Sequence, residues 1–263
     1  PPVWVAARQP CARGKIGAGL SFGCGRIWEL DLWNVQTRFD DPSTYKTALA
    51  SYRYKYPDGI GADVPIHVLA QHSVIAAKLG LAEDFRNSVK SLLACTDAAN
   101  DFCAYDLTYR TSVLANRMTL REGVNAIGAQ RLGTTLYAVG EALCQSNPGR
   151  PGGQPTLNLF SAWPKDWDAQ FTQAARGRFL VTASWVRGRP EFVEILSQGG
   201  QTCRIGNPWP AEKSLTIYRN GAEWKTLSGA LLTFETQRDS RYLLTPSGAK
   251  PQTLHRQVPK QGT

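Results

Sequence analysis

Two hydrophobic rhythms divide this chain. Apolar residues recur at every third or fourth position through much of the first half, and alternate one by one through most of the second. The alternating part begins with a helix-poor run over 158–210. Residues 179–185 and 192–197 read as strands on either side of a turn at Gly188. A Gly199-Gly200 turn, a short third strand through Cys203 and an Asn207-Pro208-Trp209-Pro210 stop follow. Residues 215–218 and 223–227 flank Asn220-Gly221, the strongest short hairpin signal. Residues 231–236 and 242–245 finish the pattern. Strands broken by turn residues every ~8–12 positions predict an antiparallel β-sandwich. The same alternation places Phe179, Val181, Phe192 (or Val193) and Leu231 on its inner face.

The earlier rhythm predicts helices. Residues 64–81 carry Val68, Leu69, His72, Ile75, Ala76 and Leu79 at helical spacing, with Pro65 in the first turn and Gly80 as the stop. Residues 84–94 form a second helix with Phe85, Val89, Leu92 and Leu93 inward. Further helices are expected over 107–117, over 119–132 with Thr119 and Glu122 at capping-box spacing, and over 134–145 with Leu136, Val139, Gly140 and Leu143 inward. Residues 43–52 make another, with Ser43 as its N-cap. Residues 28–39 alternate like a strand, although a helix fits nearly as well. The first 26 residues and the polar stretch 95–106 read as loop, and 56–59 as a turn. The run Asn147 to Gly153 (NPGRPGG) breaks every pattern and marks a domain boundary. The fold class is therefore α+β: a mainly helical part over 1–150, a sandwich over 151–246, and a disordered basic tail over 247–263.

Composition narrows the function. A 42% hydrophobic, 10% aromatic chain can bury a core, and it contains no apolar run long enough to span a membrane. It opens Pro1-Pro2 without Met, as expected of a processed form, a fragment or a partial reading frame. The net charge of +9 is unevenly shared, with +3 over 1–150 and +6 over 151–263. Such a balance favours acidic partners, an anionic polysaccharide among them, but no Lys/Arg cluster exceeds two residues, which points away from nucleic acid. The six cysteines show neither a C-x-x-C pair nor zinc spacing, so no metal is expected. Cys95 and Cys103 could close a short loop, or all six could be buried free thiols. No phosphate loop or Gly-x-Ser-x-Gly elbow is present, and no cofactor is implied.

A series of ordered segments carries a more specific signal. It comprises Ala142-Leu143-Cys144-Gln145-Ser146, then Asn158 to Pro164 (NLFSAWP), then Gly177 to Ser184 (GRFLVTAS). Glu191 to Gly200 (EFVEILSQGG), Cys203 and Asn207-Pro208-Trp209 complete it. From about Gly140 to Thr245 the chain resembles the last toroid helix and C-terminal β-sandwich of glycoside hydrolases built on an (α/α)6 toroid, above all the α-L-fucosidase/α-galactosidase family. Those enzymes leave the toroid through an LLQS turn and continue through LFPAWP-like, GGFLVSAS-like and VEFVEILSEAGG-like segments to a C-x-x-x-NPW stop. The resemblance implies a carbohydrate partner and an inverting hydrolysis, with the reacting groups inside the toroid. A closed toroid needs twelve helices, and four or five are expected here. Where the family commonly has Asp-Gly-Asn-Phe-Gly, this chain reads Asn125 to Gly133 (NAIGAQRLG) without the acid, so the family's catalytic residues do not carry over.

Glycoside hydrolysis needs two carboxyl groups across the scissile bond. The candidates in the half where the family keeps its chemistry are Glu29, Asp31, Asp58, Asp63 and Asp106. Glu29 and Asp31 would share a strand face between Trp28 and Trp33, whose rings suit pyranose stacking; a solvated surface is the plainer alternative. His67 and His72 lie in a segment (HVLAQHSV) resembling one that lines the sugar site of related enzymes. Five residues apart on a helix, they point about 140° from each other, so both reach one site only at a helix end. Two part-buried core histidines are the alternative. Trp163 and Trp167 are either sugar platforms or packing plugs. The expected activity is hydrolysis of a glycosidic bond by two carboxyls and water. The alternatives are a non-catalytic carbohydrate-binding or structural protein, and a basic protein that binds acidic polymers.

Overall fold

The computed structural model describes residues 27, 32–55, 57–59, 71–94, 129–212 and 214–249. The loop readings over 1–26 and 95–106, the helix at 107–117, most of that at 119–132, and most of the tail lie outside them. The chain divides into two compact units, Pro1–Gln154 with Ser161–Pro164, and Pro155–Phe160 with Lys165–Thr263. Helices precede an antiparallel sheet, so the fold is α+β.

In the helical unit the described helices are α1 (Thr37–Asp40), α2 (Pro42–Lys55), α3 (Gln71–Leu79), α4 (Ala82–Ala94) and α5 (Ala129–Leu143), followed by the two-residue strand β1 (Cys144–Gln145). Helix α3 packs against both α4 and α5. It is buried all round at Val74, Ile75, Ala76 and Ala77, as a helix enclosed by neighbours must be. Ile75 and Leu79 join Ile27, Ala48 and Tyr52 in one core, with Trp33, Tyr45 and Leu81 packed against it.

Local chemistry sets the helix ends. The Asp41 carboxylate, not Ser43, caps α2, accepting from the Thr44 backbone N–H (3.2 Å) and from the Thr44 and Ser43 hydroxyls at 2.6 and 2.9 Å. Pro42 occupies the first helical position, where its missing N–H costs nothing. Helix α3 ends as expected at Gly80, whose φ of +74° lets Leu81 N–H reach the Ala76 carbonyl at 2.9 Å. The strand reading of 28–39 fails over its described part. Asn34 Oδ1 accepts from Gln36 N–H at 2.9 Å and Thr37 Oγ1 accepts from Asn34 N–H at 3.0 Å, folding the backbone into a turn that leads into α1. The helix expected over 134–145 starts earlier and stops at Leu143. Its Leu136 is 64% exposed rather than inward. Ala138 and Ala142 define the buried face, and a residue two positions before Ala138 sits about 200° around the helix.

The β unit starts with β2 (Asn158–Leu159), joined through Leu157 to β6 (Cys203–Gly206): Leu157 N–H donates to Arg204 O at 2.8 Å and Leu157 O accepts from Gly206 N–H at 2.9 Å. The main sheet has six strands in the order β3-β4-β5-β10-β7-β8. They are β3 (Ala169–Ala175), β4 (Phe179–Val186), β5 (Arg189–Ser197), β7 (Leu215–Arg219), β8 (Ala222–Leu227) and β10 (Ser240–Pro246), and every pairing is antiparallel. A second antiparallel pair, β6 with β9 (Leu231–Phe234), packs on one face of this sheet through Phe234 against Tyr242. Two hairpins turn on residues of positive φ, Arg187-Gly188 (51°, 79°) and Asn220-Gly221 (50°, 90°), the backbone that suits the twist of two joined strands.

The register places Phe179, Val181 and Ala183 opposite Ser197, Ile195 and Val193, all buried, as the alternation predicts. Leu231 departs from it: this residue is 43% exposed and Leu232 is buried instead. In β9, Leu232 and Phe234 stand opposite Ile205 and Cys203, so the inward positions are the even-numbered ones and Leu231 faces out beside Gly206. Strand β3 carries no sequence signal of its own. Its AQFTQAA stretch holds one large apolar residue, Phe171, and forms a strand because β4 pairs with it along its whole length.

Candidate functional site

The segments that carry the hydrolase resemblance explain themselves as architecture. Gln145 donates from Nε2 to Ala77 O at 2.8 Å and accepts at Oε1 from Val35 N–H at 3.3 Å, tying α3 and the turn before α1 to the end of α5. Beside it Asn34 Nδ2 donates to Pro148 O at 2.9 Å. Gly149 passes so close that a Cβ would stand 2.7 Å from the Gln36 carbonyl. In the β unit, Asn207 accepts from Trp209 N–H (2.8 Å) and donates to Gly229 O (3.1 Å), while the buried Trp209 indole donates to Pro190 O at 2.7 Å. The Asn-Pro-Trp stop is thus a latch between the end of β6 and the start of β5. Gln145→Ala is expected to cost about 1–3 kcal/mol, because Val35 N–H loses its acceptor and Ala77 O keeps only the Gly80 N–H. Urea unfolding of the variant checks this.

The candidate catalytic residues are distributed unevenly. Glu29, Asp31, Asp63 and Asp106, with Trp28 and His67, lie outside the described residues. Asp58 is exposed in the Pro57-Asp58 turn. His72 is buried on α3. Trp33 packs on the helical core, and Trp163 lies tilted on Phe85 with ring centroids 6.1 Å apart. Trp167 is half-buried in the β unit.

Every other described carboxylate of the helical unit serves a structural partner. Asp40 accepts from Gln36 Nε2 at 2.9 Å. Asp41 caps α2, and those donors hold its carboxyl below the ordinary value, the Thr44 hydroxyl foremost. Glu83 meets Arg86 at 3.6 Å and the buried Asp84 meets Arg53 at 2.8 Å. Glu141 on α5 pairs with Lys78 on α3 at 3.2 Å, with the Lys78 side chain wholly buried and its ammonium 5.1 Å from the Tyr137 ring centroid. The sequence signal for this pair is slight, a charge on each apolar helix face: Lys78 beside Ala76 and Ala77, and Glu141 beside Ala142.

The two described cysteines are inert. Cys144 and Cys203 are buried free thiols, both pushed up to about 12 by burial, with the Glu141 charge adding to the shift at Cys144. Among the described residues no group of three or more His, Cys, Asp or Glu could hold a metal ion, and no helix is long and apolar enough to cross a membrane.

Comparison with known proteins places the resemblance in the β unit. Residues 151–244 match the model of the glycoside hydrolase family 95 C-terminal domain, so this segment is similar to the C-terminal domain of a glycoside hydrolase family. No curated protein matches the chain. Among solved structures, a GH127 beta-L-arabinofuranosidase from Geobacillus stearothermophilus T6 is 8% identical with a TM-score of 0.31. The likeness covers 80% of this chain, which spans 40% of that structure.

Proposed function

We propose that this chain is a glycoside hydrolase-like protein of the fucosidase/galactosidase type, with a partial toroid-like helical part over 1–150, a β-sandwich over 151–246 and a basic tail over 247–263. The observation that carries the reading is the match of 151–244 to a hydrolase C-terminal domain, on the span where the ordered motifs also fall. The partner is a carbohydrate, and the chemistry is attack of water on a glycosidic bond between a general acid and a general base. In an inverting site the two carboxyls stand about 6.5–9.5 Å apart, leaving room for the water, and the acid is partly buried to raise its pKa. Glu29, Asp31, Asp63 and Asp106 are the stronger candidates for this pair, and the exposure of Asp58 makes it the weakest of the five. His67 and His72 are the proposed sugar-site residues, with Trp28 as a proposed stacking face. The packing of Trp33 and Trp163 favours plugs over platforms for those two.

The second reading, a non-catalytic carbohydrate-binding or structural protein, is favoured by one feature, the engagement of five described carboxylates in one helix cap, three ion pairs and one side-chain hydrogen bond. A panel of aryl glycosides, α-L-fucosides and α-galactosides first, separates the two. The hydrolase reading expects turnover that disappears when the working pair is replaced by Asn and Gln, with the thermal melt nearly unchanged. Absence of turnover across the panel with oligosaccharide binding retained would establish the second.

A further inference from the structure

We infer that the edge of the β unit carries a surface subsite for an acidic sugar, built on Trp224, Arg219 and Lys225. The pairing of β7 with β8 slips between Ile217 and Tyr218, which stand opposite Lys225 and Glu223, so Trp224 is the extra residue of a β-bulge. A bulge brings successive side chains toward one face and turns the strand edge. Here the indole comes to the inner face, edge-on to the buried rings of Tyr242 (centroids 5.5 Å apart, 60°) and Phe234 (6.1 Å, 73°). Those rings fix the orientation of an indole that remains half-exposed.

Two cations lie over it. The Arg219 guanidinium lies 5.3 Å and the Lys225 ammonium 5.9 Å from the indole centroid. Neither forms a salt bridge among the described residues, whereas Arg241 nearby is paired with Glu194 at 3.1 Å. Lys225 is exposed on β8, an edge strand of the sheet. Both cations stand over the indole; drawn off it on their flexible stems by a carboxylate or sulfate, they bare a fixed ring that suits the C–H face of the same sugar's pyranose. Edge strands commonly carry Lys to prevent pairing with other chains, but that role needs no ring beneath the charge and no bulge to aim it. The ligand class rests on the carbohydrate reading above, whereas the site is read out by binding and not by turnover, so either can fail alone.

The test is isothermal titration of the full chain with a galacturonic acid trisaccharide, a sulfated galactose trisaccharide and a neutral galactose trisaccharide. Binding of one or both acidic sugars is expected, weakened by added salt, with the neutral sugar at least about tenfold weaker. The R219Q/K225Q variant, altered only at side chains outside the core, should lose about tenfold in affinity for the acidic sugar with its melting temperature unchanged. W224F should keep the packing and much of the binding, while W224A should lose it. Equal affinity for neutral and acidic sugars overturns the proposal. So does binding untouched by R219Q/K225Q, or binding of a single-stranded oligonucleotide with no acidic sugar bound.

Discussion

Lys78→Met is expected to lower the stability of the helical unit by about 3–5 kcal/mol, the usual cost of removing one partner of a buried ion pair. The Lys78 side chain is wholly enclosed and that of Glu141 is 11% exposed, so the carboxylate left behind has little access to water. The methionine keeps the length of the stem, so lost charge rather than lost volume is measured. Replacing both partners with apolar residues, K78M/E141L, should recover most of the loss because no charge then stays buried. Chemical denaturation of the single and double variants checks both expectations. A Lys78→Met protein as stable as the parent would mean that Glu141 finds water or another donor.

Tyr242→Ala should cost a similar amount, about 3–5 kcal/mol, for a different reason. Tyr242 is fully buried at the centre of the six-stranded sheet, where its ring meets those of Phe234 and Trp224. Truncation would open a cavity that neighbouring strands, fixed by their ladders, cannot close. Tyr242→Phe separates ring from hydroxyl. The phenol accepts from Gln237 N–H at 2.7 Å, and since Gln237 is exposed, water can replace that acceptor, so a loss near 1 kcal/mol is expected. A large deficit in the Phe variant would assign the stability to the hydrogen bond instead of the packing. Thermal and urea unfolding, followed by near-ultraviolet circular dichroism, give both values.

The sequence alone determined whatever depends on neighbours along the chain. The change from helical to alternating spacing set the order of helices before strands, because each rhythm buries its apolar residues in one kind of element only. Gly80 and the Asn220-Gly221 dipeptide were legible because the positive φ they adopt is open to few residue types. The ordered motifs were legible too, though not their purpose. Gln145 and the Asn207-Pro208-Trp209 stop bond to residues distant in sequence, and only the folded chain shows them to be ties and latches.

Tertiary structure decided the rest. Strand β3 exists because β4 supplies its hydrogen-bond partners. The inward face of β9 was settled by pairing with β6, which turned Leu232 in and Leu231 out. Such a choice between adjacent leucines cannot be made within a four-residue strand, because either register buries one of them. The same limit applied to charges. Asp41 and Asp84 stand at helix starts in the sequence and Glu141 is a plain acid; the fold made them a helix cap, a partner for Arg53 and a partner for a buried lysine. Trp224 entered the sequence reading only as part of a strand. One bulge placed it edge-on to two buried rings and beneath two cations, because the extra residue shifts where every side chain near it points.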